Sequence, residues 1–257
     1  MMNRYTAHAI DHNRGLIAPV RASHFVASLF RSRRFSYTAI AALFVVLLPI
    51  DLWLSDSLKE FNQSLGGDIR REINLVQQFG GPTSIVLVAY LMFRLDASKR
   101  RRIWDLLMTM AATAAVSTCL KVLIGRIRPR FNIGEPYVFL GPFRSHHTSV
   151  SEAPLHSWNL LTPGASQLQS MPSSHTSAAF AIATFIAIVY PRVRVLVYVL
   201  AVIVGISRVL HGAHWPTDVL AGALVGYWIA KIVVRRRLGQ AVIDKLTPRA
   251  DRPSTAG

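Results

Sequence analysis

Acidic residues are scarce in this chain, with 13 Asp and Glu against 29 Lys and Arg and a formal net charge of +16. Cysteine is nearly absent. Cys119 stands alone, which excludes an internal disulfide, and its place inside an apolar run predicts core packing. Charge of either sign is missing from several long stretches. A soluble chain this basic would point to nucleic acid. However, 51% hydrophobic residues, a mean hydropathy of +0.34 and those uncharged runs point instead to a membrane protein with basic flanks, and no nucleic-acid partner is expected. Residues 1–34 lack the apolar segment of a cleavable signal peptide and read as a basic cytoplasmic tail, with residues 23–34 suited to a short surface-lying helix.

The long apolar runs predict six spans. They cover residues 35–54, uncharged until Asp51 near its far end, a second run at 73–93 that Gly80-Gly81-Pro82 interrupts so that only 83–93 is strongly apolar, then 103–124, 173–190, 193–210 and 217–234. Between the first two, Leu58, Phe61, Leu65, Ile69, Ile73 and Val76 recur every three or four residues. This predicts an amphipathic helix over 55–79 on the outer surface, breakable at Gly66-Gly67. Gly222 and Gly226 form a GxxxG pair in the last span, and Ala178, Ala179, Ala181 and Ala183 line the fourth, a pattern for close packing in lipid. The expected fold is therefore all-α. It is an integral membrane six-helix bundle over residues 35–235, with a long loop between the third and fourth spans and a second basic tail at 236–257.

Basic residues orient these spans. Residues 1–34 hold six Lys and Arg, 94–102 five, 192–194 two and 231–257 seven, so twenty of the 29 fall on the side that carries both termini. Positive charge marks the cytoplasmic side. Both termini are then cytoplasmic, in a membrane expected to be a bacterial inner membrane. Lys121, Arg128, His175, Arg208, His214 and Asp218 all come to the outer ends of the third to sixth spans.

Those residues fall into three short stretches. KVLIGRIRP places Lys121 and Arg128 seven apart, on one face of a helix that Pro129 would end. MPSSH puts Pro172, Ser173, Ser174 and His175 at a helix start, where free N–H groups bind anions. SRVLHGAHWPTD carries Ser207, Arg208, His211, His214 and Asp218. His214 and Asp218 are four apart. On a helix that spacing lets the carboxylate accept Nδ1–H and leave Nε2 free as a nucleophile.

Eleven fixed positions, K-x6-R-P, P-S-S-H and S-R-x5-H-x3-D, resemble the three-part signature of the type-two phosphatidic acid phosphatase superfamily, membrane lipid phosphatases that share a site with vanadium haloperoxidases. The resemblance covers roughly residues 35–235. The family usually has P-S-G-H, and Ser174 replaces its glycine here. The resemblance implies a phosphatase in which His214 is the nucleophile and forms a phosphohistidine, Asp218 orients it, and His175 protonates the leaving oxygen and then activates water. Lys121, Arg128, Arg208, Ser173 and Ser174 would hold the phosphate, without metal or other cofactor. His211 competes with His214 by proximity but lies seven residues from Asp218. Membrane lipids surround such a site, so the expected substrate is a lipid phosphate or pyrophosphate: phosphatidate, phosphatidylglycerophosphate, undecaprenyl pyrophosphate or a phosphorylated outer-membrane lipid. A phosphotransferase built on the same phosphohistidine is the alternative, and a non-catalytic scaffold is a further one.

Two features of the 126–171 loop remain. Its length and its Arg, His and Trp content suit a lid or substrate-binding loop over the site better than a connector or a metal set, for which His146, His147 and His156 have loose spacing and only Glu152 to complete them. Arg126 and Arg130 are positioned either for a second phosphate or as solvated or lipid-facing charges.

Overall fold

The computed structural model describes residues 33–132, 139–148 and 150–247, with side chains from residue 42 onward. The proposed surface helix at 23–34 lies almost wholly outside them. The chain divides into residues 1–43 and 44–257. Of the first unit, the described part is the opening of one helix, and the packing below concerns the second.

Helix α1 spans Arg33–Ser64. It runs on through residues 55–64, so the expected amphipathic segment is no separate element until the break at Leu65 and Gly66. After that break α2 covers Gly67–Gln77. A 3-10 turn, Gln78–Gly80, leads to α3, Pro82–Leu95. Pro82 sits at the helix start, where its missing N–H costs no helical bond. The two helices together are apolar enough for one membrane crossing but bend by 62° at the Gly-Gly-Pro break, where the sequence has its interruption.

Helix α4, Arg102–Ile124, ends on Gly125, whose left-handed φ of 54° lets its N–H cap the Lys121 carbonyl at 2.9 Å. Then come α5 (Ser174–Val189), α6 (Arg194–Leu210), α7 (Pro216–Arg236) and α8 (Leu238–Leu246). The connection from α4 to α5 is largely irregular. It carries one antiparallel pair, β1 (Ser145–His146) with β2 (Leu155–His156), and a 3-10 turn at Ala165–Leu168.

The core is built around α5. Ala179, Ala181, Ile182, Ala183 and Phe185 are fully enclosed there by α4, α6 and α7. The GxxxG of α7 explains the closest approach. A methyl group on Gly226 would lie 2.1 Å from the Ser177 carbonyl oxygen, and one on Gly222 2.6 Å from that of Ser173, so only glycine admits this spacing. Val195, Leu196, Val199, Val202 and Ile206 of α6 instead face outward, as lipid-facing side chains do. Cys119 is exposed too, contrary to the expectation of core packing. Its helix turns that face away from the bundle.

Among the described residues, α4, the segment Pro191–Leu210 and α7 are each long and apolar enough to cross a membrane, and the bent α2–α3 pair would make a fourth. Helix α5 has only 16 residues. The membrane-protein fold is therefore supported, while a count of six crossings goes beyond these helices. Beyond α7, helix α8 docks on α4, where Asp105 accepts hydrogen bonds from the Gln240 backbone and side chain.

Candidate active site

Four helix ends meet at one end of the bundle. Lys121 occupies the last turn of α4, His175 the first turn of α5, Arg208 the last turn of α6 and Asp218 the first turn of α7. Arg128 arrives differently from its expected place. Because Gly125 ends α4, Arg128 lies on extended backbone beyond the helix instead of two turns along it. The 166–169 turn gathers both cations: Lys121 Nζ donates to the Gln169 carbonyl at 2.6 Å, and Arg128 Nε donates to that of Ser166 at 2.7 Å. Backbone pairing of Arg128 N–H with the Gln167 carbonyl fixes the strand of chain between them.

Arg208 points to α2, where its Nη1 donates to Gln77 Oε1 at 2.6 Å. No sequence pattern marked Gln77, although it is buried at the end of the amphipathic helix. The positive charges of Lys121, Arg128 and Arg208 all act on His175, and those of Lys121 and Arg128 on His214. Arg130, exposed beside them, adds to the field at Arg128 and Arg208. Burial pushes the Arg128 guanidinium down to about 10, with Arg130 and then Arg208 adding to the effect. It therefore stays charged at neutral pH.

His214 and Asp218 meet by a different local geometry from a shared helix face. His214 belongs to the turn that precedes α7, and Asp218 sits three residues beyond the cap residue Trp215, whose N–H it accepts at 2.9 Å. That reach back over the first turn brings Asp218 Oδ2 to 3.6 Å from His214 Nδ1. Nδ1 has no partner within hydrogen-bond distance. Burial, first of all, holds the His214 imidazole down at about 3, against the opposing pull of Asp218. The ring is thus neutral across the physiological range, with the Asp218 carboxylate near Nδ1 and the Lys121 and Arg128 charges acting on it. His211 is tied elsewhere, its Nδ1 2.6 Å from the Ser207 carbonyl oxygen.

Two expected contributions change. Ser173 is fully buried, and its backbone N–H donates to the Asp218 carbonyl at 3.0 Å, so that N–H serves the α5–α7 junction instead of offering itself to an anion. Ser174 is exposed at the first position of α5. Arg126 is neither solvated nor lipid-facing nor placed for a second phosphate. Its side chain is fully buried and pairs with Asp51 and Asp218 at 2.8 and 2.7 Å. Sequence reasoning noted Asp51 only as the first charge after a long apolar run. A lone carboxylate in a span is itself a signal, because it requires a buried partner. Ser170, whose hydroxyl donates to Asp218 Oδ2, and Thr217 went unmarked. In the loop, His156 stacks on Trp158 with ring centroids 4.9 Å apart, and no group of His, Cys, Asp and Glu among the described residues has the arrangement of a metal site.

This arrangement has counterparts. The family model described as the PAP2 superfamily matches residues 102–240. Lipid A 1-phosphatase of Rhizobium johnstonii is 30% identical over 145 residues, 56% of this chain and 51% of that protein. Lipid phosphate phosphatase 1 of Arabidopsis thaliana is 26% identical over 76% of this chain and 66% of its own length. This chain thus spans about half to two thirds of these relatives. The crystal structure of Aquifex aeolicus LpxE shares the fold with a TM-score of 0.51 at 19% identity, over 70% of this chain and 93% of that one.

Proposed function

The chain belongs to the PAP2 superfamily, and we propose that it is an integral membrane phosphatase that hydrolyses a lipid phosphate or pyrophosphate through a phosphohistidine on His214. The observation that carries this reading is the neutral, buried imidazole of His214, with the Asp218 carboxylate 3.6 Å from its Nδ1 and the Lys121 and Arg128 charges acting on it, while Arg208 joins them in acting on His175. A phosphate ester brings up to two negative charges, which the three cations neutralise as it binds. The reaction needs no metal ion. Nε2 of His214 attacks phosphorus, the P–O bond to the lipid breaks, and His175 gives the leaving oxygen its proton. Asp218 accepts the hydrogen bond of Nδ1–H as the ring gains positive charge. In the second step His175 takes a proton from water, which attacks the phosphohistidine and releases phosphate.

A site at the helix ends, on a chain with wide apolar outer faces, favours a substrate whose phosphate lies at the membrane surface and whose chains stay in lipid. The excess of Lys and Arg on the opposite loops supports a site on the outer face of a bacterial inner membrane, with both termini cytoplasmic. Phosphate release from a detergent-solubilised panel of phosphatidate, lipid A 1-phosphate and undecaprenyl pyrophosphate tests the reading. One or more substrates should release phosphate with wild-type protein and none with His214→Ala. Release by His214→Ala at the wild-type rate would end it. Transfer of label to an alcohol without free phosphate would make the protein a phosphotransferase.

A further inference from the structure

Asp218 belongs to a closed group of charged side chains whose other two members, Arg126 and Asp51, the proposed reaction leaves unused. Arg126, Asp51 and Asp218 all have side chains with 0% exposure. Arg126 Nη1 donates to Asp218 Oδ1 and to Thr217 Oγ1, each at 2.7 Å, and Nη2 donates to Asp51 Oδ2 at 2.8 Å. Asp51 also accepts the Thr217 backbone N–H at 3.0 Å, and the Thr217 hydroxyl donates to its Oδ2. The guanidinium is enclosed by the rings of Phe139 and Trp215, 4.8 and 5.1 Å away. Three charges thus link α1, the loop after α4 and the start of α7, and the last of them faces His214.

Such a group is an expensive way to hold helices together, because desolvating ions costs about as much as their pairing returns. Its geometry has a more specific consequence. Asp218 has one oxygen, Oδ1, committed to Arg126, while the other accepts Ser170 and Trp215 N–H and faces His214. The guanidinium fixes the carboxylate plane. Asp51 in turn shares the positive charge of Arg126, so Asp218 keeps enough negative charge to accept a proton-bearing Nδ1. We infer that Asp51 and Arg126 are positioning residues that orient Asp218 and set its effective charge toward His214. The inference rests on the phosphohistidine reading for its kinetic consequence but not for its structural one.

Charge bookkeeping supplies the test. The trio carries one net negative charge. Asp51→Asn brings it to zero, Arg126→Met to two negative, and the double variant returns it to one. With short-chain phosphatidate in detergent, rates are taken per active site, counted from the phosphoenzyme burst. Asp51→Asn should lower kcat about 10-fold and leave KM unchanged, the size of effect typical for partners that orient a reacting group. Arg126→Met should lose more, and the double variant should regain activity relative to it. Tautomer measurement by nitrogen NMR on selectively labelled histidine, with His214→Gln for assignment, needs no turnover. His214 should carry its proton on Nδ1 in the wild type and lose that preference in Asp51→Asn. Where Arg126→Met does not fold, Asp51→Asn decides alone. Variants that melt earlier yet keep wild-type kcat and tautomer would overturn the inference and leave the trio a structural clamp. Loss of the Nδ1 preference in Asp51→Asn, seen in a protein without phosphatase activity, would refute only the phosphatase reading.

Discussion

Asp218→Asn is the substitution whose cost follows most directly from the contacts. Three donors converge on the carboxylate: Arg126 Nη1 at 2.7 Å, the Trp215 N–H at 2.9 Å and the Ser170 hydroxyl. An amide has one acceptor oxygen. If that oxygen keeps Trp215 and Ser170, the amide nitrogen faces the guanidinium, donor against donor, and a buried charge-assisted bond is lost. Breaking a buried pair of this kind costs about 3–5 kcal/mol when the remaining charge is stranded. Here Asp51 still holds Arg126 at 2.8 Å, so the expected loss is smaller, about 2–3 kcal/mol. In a chain of this size that lowers the melting temperature by roughly 4–12 °C. The effect on rate is larger, because the amide neither fixes Nδ1–H nor offsets charge on the ring. A loss on the order of 10³–10⁴-fold in kcat is expected, as for other histidines deprived of their carboxylate. Thermal unfolding in detergent and single-turnover phosphate release measure the two separately. A variant that melts like the wild type, or that retains kcat within about threefold, would refute the assigned geometry.

His175→Ala should slow phosphatidate hydrolysis by roughly 10²–10⁴-fold but spare p-nitrophenyl phosphate, whose leaving group needs no proton, when phosphoenzyme formation limits both; equal losses would make His175 a phosphate binder only. Because burial holds His214 down at about 3 while an unfolded histidine titrates near ~6.5, the unfolded chain binds the extra proton first. Stability should therefore fall as pH drops from ~6.5 towards 3, by at most about 1.4 kcal/mol per pH unit from this group, and be insensitive to it above that window. Melting curves of wild type and His214→Gln across pH 4–8 check this, and identical pH slopes would refute it. With exposed Cys119 replaced by serine, a cysteine at Leu161, a fully exposed loop position, should react with a membrane-impermeant thiol reagent in intact cells while one at Ser98 does not. The reverse pattern would invert the proposed orientation.

The parts legible in the sequence were those written as local patterns. Apolar runs located α4, α6 and α7, the Gly-Gly-Pro interruption marked the bend between α2 and α3, and GxxxG marked α7 for the close packing that it makes on α5. The eleven signature positions led to the family and to side chains that the fold does bring to one end of the bundle. Spacing alone misplaced their backbone settings. A periodic argument carried α4 on to Arg128 because it gave no weight to Gly125, whose left-handed conformation ends the helix. It put His214 and Asp218 on one helix face, whereas Pro216 starts α7 after His214 and Asp218 caps it. The Arg126–Asp51 pair spans 75 residues, and nothing local in the sequence encodes which distant carboxylate a buried arginine meets.

The central claim is a covalent phosphate on His214. Wild-type protein quenched within one turnover of a substrate labelled in its phosphate should carry label that is stable in alkali and lost in mild acid, and peptide mapping should place it on the segment that contains His214. His175→Ala should hold that label longer, since it lacks the group that activates water. Absence of protein-bound label during demonstrated phosphate release, or label on any residue other than His214, would contradict the account.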